Sequence, residues 1–330
     1  MVETRFDIVG IGNAIVDIVG SVDDAFLDSH GLEKGAMTLV DSDTSERLYQ
    51  AMDPEIQCSG GSGANTVAVL ASLGGKGVYV GKVNNDELGG IFRRDIGELG
   101  ITFDTAALND GPPTARCMVF VTPDAERTMQ TYLGACVELC PDDIDEATIA
   151  DAQITYMEGY LWDRPQAKEA FLKAARIAHA SGNLVSLSLS DSFCVNRHRD
   201  EFLNLVRDHV DVLFANEDEI IALYGAGTFD EALQKVRSQC GIAALTRGAH
   251  GSVVVSGTDI HVLGVEKVEK VVDTNGAGDA YAGGFLFGLT QGYTLAECGR
   301  IGSMASAEII GHLGARPQAS LKDIVAKTLG

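Results

Sequence analysis

The chain has 330 residues, 45% of them hydrophobic, which is enough to bury one large core, alone or with an appendage. Its 47 Asp and Glu residues outnumber 25 Lys and Arg, and the formal charge of -22 opposes phosphate backbones and anionic lipid surfaces. Nucleic acids and membranes are therefore poor partners. An anionic nucleotide can bind only where backbone dipoles, a metal ion or a local arginine overrides this charge.

The seven cysteines are irregularly spaced, and the nearest pair, Cys136 and Cys140, has no second pair or histidine cluster to complete a zinc site. Acidic Glu3 and Asp7 lie where a signal peptide needs basic and then apolar residues. No segment contains the roughly 18 uninterrupted apolar residues of a membrane span. We therefore expect free thiols and a cytoplasmic location.

Short apolar runs alternate with segments of helical periodicity, which predicts a mostly parallel sheet with helices on both faces, a three-layer α/β/α core. In chain order, the predicted strands are residues 6–10, 78–80, 154–157, 184–189, 212–215, 243–246 and 252–255. The predicted helices include residues 64–73, 165–180, 229–238 and 279–291.

Two stretches interrupt this rhythm with alternating apolar and polar residues between turn signals, as in the run from Arg116 to Thr122. The alternation is typical of antiparallel strands with one exposed face. Such strands can form a small lid over the carboxyl edge of the main sheet, where open α/β folds bind ligands. We assign residues 13–40 and 114–133 to the lid. The core then comprises residues 1–12, 41–113 and 134–330.

The N-terminal run GIGNAIVD, residues 10–17, has the beginning of a dinucleotide-binding glycine motif. Ile15 occupies the position where that motif needs Gly or Ala for helix packing, and the residues after it predict a strand. An oxidoreductase is therefore the weakest interpretation of this chain.

A second glycine-rich run, GGSGANT at residues 60–66, permits unusual backbone angles and precedes an apolar helix. Two later runs follow predicted strands. Asn216 and Glu219, in NEDE, share one helix face and suit either a hard-cation site or an acidic helix start. Gly248 and Gly251, in TRGAHG, permit close approach of a ligand or simply form a hairpin turn.

The strongest chemical signal is the run DTNGAGDA at residues 273–280, where a strand is expected to pass into a helix. Its glycines leave backbone N–H groups free to converge on an anion. Asp279 falls in the first helical turn, where a carboxylate can accept a hydroxyl proton beside a transferred phosphoryl group. A structural N-cap is the simpler alternative for Asp279, but the complete run favours catalysis.

Residues 273–279 and 60–66, with 70–74 following the latter, resemble the two signatures of the ribokinase-like (PfkB) carbohydrate kinase family, in the family's order. The resemblance implies a ribokinase-like core with a β-sheet lid that closes on Gly60 and Gly61. It implies ATP and Mg²⁺ as cofactors. It also implies that Asp279 is the base beside an anion hole formed by residues 276–278.

The resemblance assigns roles residue by residue. Substrate contacts are implied for Asn13, Ile15, Asp17, Leu39, Gly61, Ser62, Asn65, Met129, Thr131, Tyr160 and Asn275, with Trp162 as a further purine-stacking candidate and Asp17 on vicinal sugar hydroxyls. Nucleotide contacts are implied for Asn216, Thr246, Arg247, Gly248, Gly251, Gly276 and Gly278, and the anion hole includes Ala277. Asn216 and Glu219 would hold Mg²⁺ through water. Arg127 would neutralise phosphate charge, unless it pairs with the adjacent Glu126.

Within the family the chain is more similar to adenosine kinases than to sugar-only members, at residues 12–18, 22–28, 187–193, 211–217 and 294–314. This resemblance implies phosphorylation of the 5′-hydroxyl of adenosine to give AMP. Gly63-Ala64-Asn65 is closer to ribokinases, so ribose, another sugar, inosine and guanosine stay open as substrates. A nucleotide-binding protein without catalysis also stays open, as does the choice between a monomer and a homodimer.

Overall fold

The computed structural model describes residues 4–124 and 126–329. Residues 1–3 and 330 of the predicted core and residue 125 of the predicted lid lie outside the described residues. The strands, in chain order, are β1 (Phe6–Ile11), β2 (Ile15–Ser21), β3 (Met37–Leu39), β4 (Ile56–Gly60), β5 (Gly77–Val80), β6 (Ala115–Val121), β7 (Arg127–Tyr132), β8 (Ala152–Glu158), β9 (Leu184–Ser188), β10 (Val212–Asn216), β11 (Ile242–Thr246), β12 (Ser252–Ser256) and β13 (Asp259–Leu263).

The helices connect and cover these strands. In chain order they are α1 (Asp24–His30), α2 (Ser42–Ala51), α3 (Ser62–Ser72), α4 (Glu87–Glu98), α5 (Glu146–Ala150), α6 (Pro165–Ala180), α7 (Ser192–Arg197), α8 (Arg199–His209), α9 (Glu217–Tyr224), α10 (Phe229–Val236), α11 (Ala277–Thr290), α12 (Leu295–Ile309) and α13 (Leu321–Leu329). Within the described ranges, none of them is both long enough and apolar enough to cross a bilayer.

The large sheet has the strand order β13-β12-β11-β10-β9-β8-β1-β5 and is parallel except where β12 pairs with β11 and β13. Successive residues of a strand point to opposite faces. Ile8 of β1 accordingly packs in the cluster that contains α3 and α11, and Val9 packs with α6 and α8. The predicted three-layer α/β/α core is confirmed, and every predicted strand and helix of it is present with ends shifted by at most two residues.

The smaller sheet has the order β3-β7-β6-β2-β4. The prediction of antiparallel strands is wrong for two of its pairings, because β2 pairs with β6, and β3 with β7, in parallel. These partners are far apart in sequence, so no tight hairpin fixes their direction. Strand β4 lies in the segment 41–113, which the sequence assigned to the core; its residues IQCSG carry little apolar alternation.

One face of the smaller sheet is covered by α1 and α2, whose Leu27 and Leu48 are buried against Ile18, Met118 and Phe120. The other face is the more open one, with Leu39 57% and Ile56 55% exposed. This uncovered side, called the front face below, carries the residues expected to contact substrate.

One connection between the smaller sheet and the core is the step from β4 directly into α3 through Gly60 and Gly61. Gly61 has a φ of +92°, which L side chains rarely adopt, and a Cβ there would lie 2.2 Å from the Asn13 carbonyl oxygen. Only glycine therefore allows this close approach of the two backbones.

We expect Gly61→Ala to lower the free energy of unfolding by about 2 kcal/mol or more, because it adds a backbone clash to a strained φ. Urea unfolding measures the change. Gly90→Ala is the matched control: Gly90 lies within α4 with open space around its Cβ position, so alanine should stabilise by about 0.8–1 kcal/mol. Equal stability of Gly61→Ala and the parent would contradict the close approach.

Candidate active site

The first turns of α3 and α11 meet at Asp279. Ser62 Oγ donates to Asp279 Oδ1 at 2.6 Å, and Asn65 Nδ2 donates to Oδ2 at 3.1 Å. Burial raises the pKa of Asp279, whereas these two hydrogen bonds and the nearby Arg316 lower it. The carboxylate is thus held by α3, the helix that follows Gly60 and Gly61, the two residues expected to act as a hinge and called the hinge below.

The turn before α11 places Asp279 at the third helical position, and Gly276 is the N-cap with a φ of +77°. The alternative that Asp279 is a structural N-cap is therefore wrong. The expectation of a strand before this turn is also wrong, since residues 264–276 form no strand. The Ala277 amide donates to Thr274 O at 3.3 Å, a long bond that a phosphate oxygen can replace.

Asp17 lies on the front face of the smaller sheet. Its cross-strand neighbours are Cys58 and Cys117, and the same row continues to Thr131 and Leu39. Because alternate residues of a strand share a face, Ile15 and Met129 lie on this face too, two residues from Asp17 and Thr131. The predicted lid contacts therefore share one surface.

Burial raises the pKa of Asp17 to about 6, opposed by Arg316 and Arg127 and reinforced by Asp279. At pH 7 Asp17 is therefore mostly an ionised acceptor. A Cβ on Gly60 would lie 2.3 Å from Asp17 Oδ2, and Ser62, two residues later, contacts Asp279, so the two carboxylates border one region between the sheets, called the cleft below.

Glu158, which the sequence analysis missed, organises the floor of this cleft. It is 1% exposed and accepts hydrogen bonds from Asn13 Nδ2 and the Gly63 amide, both at 2.7 Å. Burial raises the pKa of Glu158 to about 7 despite these donors. A charged residue at the carboxyl end of the apolar strand β8 was the sequence signal that could have revealed it.

Arg127, at the start of β7, reaches across to the core. Its Nη1 donates to Asp273 Oδ2 at 2.5 Å, and the same oxygen accepts from the Gly314 amide at 3.2 Å. Asp273 Oδ1 accepts from the Asn275 amide at 3.0 Å. Arg127 thus pairs with Asp273 and not with the adjacent Glu126, which was the expected alternative.

Several buried polar atoms of this cleft have no hydrogen-bond partner among the described residues. They are Asn13 Oδ1, Asn65 Oδ1, Arg127 Nε and Arg316 Nε. Buried polar groups are normally paired, so these atoms indicate a site that is completed by a polar ligand. The two amide oxygens are acceptors and call for donors such as sugar hydroxyls.

The run NEDE at the end of β10 and the run TRGAHG at the end of β11 lie side by side, because Asn216 and Thr246 are paired in register. Asn216 caps α9, and Glu219 accepts from the Asn216 amide at 2.9 Å and its Nδ2 at 2.7 Å. Burial raises the pKa of Glu219 to about 7, with Asp191, Asp218 and Asp279 adding to the rise.

A bound cation would offset the negative charge around Glu219, which fits the expected indirect magnesium contact. In the part of the chain that the structure describes, no group of three or more His, Cys, Asp or Glu residues could enclose a metal ion. A magnesium ion here would therefore depend on phosphate and water ligands.

The expected nucleotide loop is a short 3₁₀ turn, Gly248–His250, within the hairpin from β11 to β12. Gly248 and Gly251 have φ values of +52° and +83°. Arg247 forms two hydrogen bonds with Glu217 at 3.0 and 3.1 Å, so its guanidinium ties this loop to the start of α9.

Two adjoining cavities lie beside the smaller sheet. The first, of about 500 Å³, is lined by Leu133, Val137, Tyr160, Leu161, Asp163, Arg164, Arg197 and His198. The second, of about 240 Å³, includes Leu39 and Thr131 and shares Leu133, Val137 and Arg164 with the first. Trp162 is not a stacking candidate, because it is 4% exposed and its Nε1 donates to Glu201.

The site therefore brings together a glycine turn at a helix N-terminus, an adjacent carboxylate and unpartnered hydrogen-bond acceptors, an arrangement that suits transfer of a phosphoryl group to an alcohol.

Comparison with known proteins agrees with this class. The family profile of pfkB carbohydrate kinases matches residues 49–322. The crystal structure of adenosine kinase from Sinorhizobium meliloti is 51% identical with a TM-score of 0.90, over 98% of this chain and 99% of that chain. A probable sugar kinase from Rhizobium etli CFN 42 is 48% identical with a TM-score of 0.91, over 98% of both chains. The adenosine kinase of Saccharomyces cerevisiae is 28% identical, over 93% of this chain and 95% of its own length.

The chain belongs to the pfkB family of carbohydrate kinases, close to the adenosine kinases. It is a phosphotransferase that uses an alcohol group as acceptor, and membership of this kinase family implies ATP as donor.

We expect Ser62→Ala to move the acidic limb of the pH profile of kcat/KM to higher pH. The Ser62 hydrogen bond lowers the pKa of Asp279, so its loss raises that pKa and keeps the carboxyl protonated to higher pH. Kinetics between pH 5 and 8 measure the shift. Ser303→Ala, which removes only a hydrogen bond to Gly299 O within α12, should leave the limb in place. An unshifted limb in Ser62→Ala would contradict the arrangement.

Proposed function

We propose that this protein transfers the γ-phosphoryl group of ATP to the 5′-hydroxyl of adenosine, giving AMP and ADP. The observation that carries the proposal is the position of the Asp279 carboxylate. It lies in the first turn of α11, directly after the glycine turn 276–278, and is oriented by Ser62 and Asn65.

In this mechanism Asp279 accepts the proton of the 5′-hydroxyl as that oxygen attacks the γ-phosphorus. The new oxygen–phosphorus bond forms while the bond from the γ-phosphorus to the bridging oxygen breaks, and ADP leaves with that electron pair. The amides of Gly276, Ala277 and Gly278 would bind the oxygens of the transferred group, where charge is concentrated.

The ribose of the substrate is assigned to the front face and the hinge. Asp17 is an ionised acceptor suited to a pair of vicinal hydroxyls, and the unpartnered oxygens of Asn13 and Asn65 are further acceptors. Gly61 supplies the close backbone approach at this point. Asn275 would contact substrate from the turn before α11.

The choice of a nucleoside over a free sugar rests on the two cavities. Their walls include Leu39, Leu133, Val137 and Tyr160 beside charged residues such as Asp163, Arg164 and Arg197, and the apolar part is a surface for which a free ribose has no matching group. A purine ring stacks well on such surfaces, and Tyr160 is partly exposed at the first cavity. Ile15, Met129 and Thr131 on the front face would complete the contact.

Magnesium is assigned to the nucleotide side of the cleft, held through water by Glu219 and Asn216. When bound, Mg²⁺ would neutralise charge on the phosphate groups. Arg127 would add a positive charge from the smaller sheet, leaving Asp273 as phosphate binds. The loop containing Thr246, Arg247, Gly248 and Gly251 would contact the nucleotide.

Closure of the smaller sheet over the substrate would exclude water and so protect ATP from hydrolysis. For this role we assign residues 13–40 and 114–133 together with β4, and the remainder of the chain to the core. The hinge at Gly60 and Gly61 is the connection that would move.

We expect Asp279→Asn to reduce kcat by about 10²–10⁴-fold, because the amide cannot accept the hydroxyl proton. The Kd for ATP should stay near that of the parent. Coupled ADP-release kinetics and titration with a fluorescent ATP analogue measure the two quantities. Asp323→Asn, at an exposed position in the first turn of α13, is the matched control and should be fully active. Parent-like turnover of Asp279→Asn would refute the base assignment.

Substrate choice is tested with the parent enzyme on adenosine, inosine, guanosine and ribose. We expect the highest kcat/KM with adenosine, since the apolar cavity walls accept the base. Saturation by ribose alone would contradict the nucleoside assignment. Nucleotide binding without turnover of any acceptor would support the non-catalytic alternative.

A further inference from the structure

Arg316 lies in the segment between α12 and α13 and bridges the hinge. Its Nη1 donates to the Ala64 carbonyl oxygen at 2.8 Å, and its Nη2 donates to the Ser59 carbonyl oxygen at 2.7 Å. Nη2 also lies 3.2 Å from Ser59 Oγ. One guanidinium therefore holds the end of β4 and the first turn of α3, on either side of Gly60 and Gly61.

The end of β4 is held from a second direction by α4. The Ser59 amide and Ser59 Oγ both donate to Asp95 Oδ2, at 2.7 and 2.5 Å. Asp95, Ser59 and Arg316 thus form a continuous chain of hydrogen bonds from α4 to the segment before α13. Ser59, on the β4 side of Gly60 and Gly61, is therefore held by two different parts of the core.

Asp279 and Asp17 both depend on the position of this backbone. Ser62 and Asn65, which orient Asp279, lie within six residues of Ser59. A Cβ on Gly60 would lie 2.3 Å from Asp17 Oδ2, so the Asp17 side chain rests directly against the hinge. A shift of the hinge backbone would displace both the hydrogen-bond partners of Asp279 and the backbone against which the Asp17 side chain packs.

Arg316 also supplies positive charge where the cleft is most acidic. It lowers the pKa of both Asp17 and Asp279, and burial lowers its own pKa. Its Nε is buried without a partner among the described residues. Burying a cation with an unmet donor is unfavourable unless its other contacts are strong, and those contacts are to the hinge carbonyls.

We propose that Arg316 is a positioning residue for phosphoryl transfer: by holding the Ser59 and Ala64 carbonyls across the hinge, it fixes the first turn of α3 against Asp279. This inference rests on the proposed function, since it concerns the same site. Arginine suits the role because its planar fork reaches two acceptors at once, whereas the single ammonium of lysine does not.

The test combines kinetics with hydrogen exchange on Arg316→Met, Arg316→Lys and the control Arg300→Met. Arg300 is half exposed on α12, 3.8 Å from Glu266, and its removal should change neither measurement. We expect Arg316→Met to lower kcat about 100-fold, the effect of misplacing a reacting group by about 1 Å, with the KM for ATP near that of the parent. Arg316→Lys should remain closer to Arg316→Met than to the parent.

Hydrogen exchange is measured on the ligand-free proteins. Arg316→Met should speed exchange of the amides at residues 59–66 and leave α6 unchanged. Asp95→Asn weakens the other end of the hydrogen-bond chain and should give the same local change. It therefore serves as the second variant if Arg316→Met folds poorly. Parent-like hinge exchange, acceleration throughout the protein, or full activity of Arg316→Lys would overturn the positioning role. Absence of turnover in the parent would instead refute the proposed function, because the hinge measurement needs no substrate.

Discussion

The proposed mechanism depends on one constraint: Asp279, partly buried between the first turns of α3 and α11, must stay ionised so that it can accept a proton. Burial works against this by raising its pKa. Ser62 and Asn65 offset the effect as direct donors, and Arg316 offsets it as a nearby cation. All three groups meet at the hinge, since Ser62 and Asn65 begin α3 and Arg316 holds the backbone on either side of Gly60 and Gly61. In the proposed mechanism the geometry of the hinge therefore controls the position and the pKa of Asp279.

The charge distribution explains how so acidic a chain can accept ATP. Carboxylates concentrate around the cleft, and burial raises the pKa of Asp17 to about 6 and of Glu158 and Glu219 to about 7. Against them stand a few cations, notably Arg127 and Arg316, and the backbone amides of the turn before α11. Because these positive groups are local, they could bind phosphate in the proposed mechanism without altering the field of the whole surface. In the proposed function, the same argument favours a divalent cation on the nucleotide side.

Much of the fold was predictable because the central strands are continuous apolar runs and the glycine runs are local. The function of Asp279 could likewise be argued from eight consecutive residues. Strand β4 was missed because IQCSG carries no clear alternation, and the parallel pairing of β2 with β6 depends on chain paths that no local pattern records. Arg316 contacts Ala64 across 252 positions of sequence, and Glu158 contacts Asn13 across 145. Such partners become visible only once the chain is folded.

The central claim is tested most directly by a crystal structure of the parent enzyme with adenosine and a non-hydrolysable ATP analogue. We expect the 5′-oxygen to lie about 2.6–3.2 Å from an Asp279 carboxylate oxygen, in line with a γ-phosphoryl group held by the amides of residues 276–278. A 5′-oxygen directed away from Asp279, or a terminal phosphate bound elsewhere than at this turn, would contradict it.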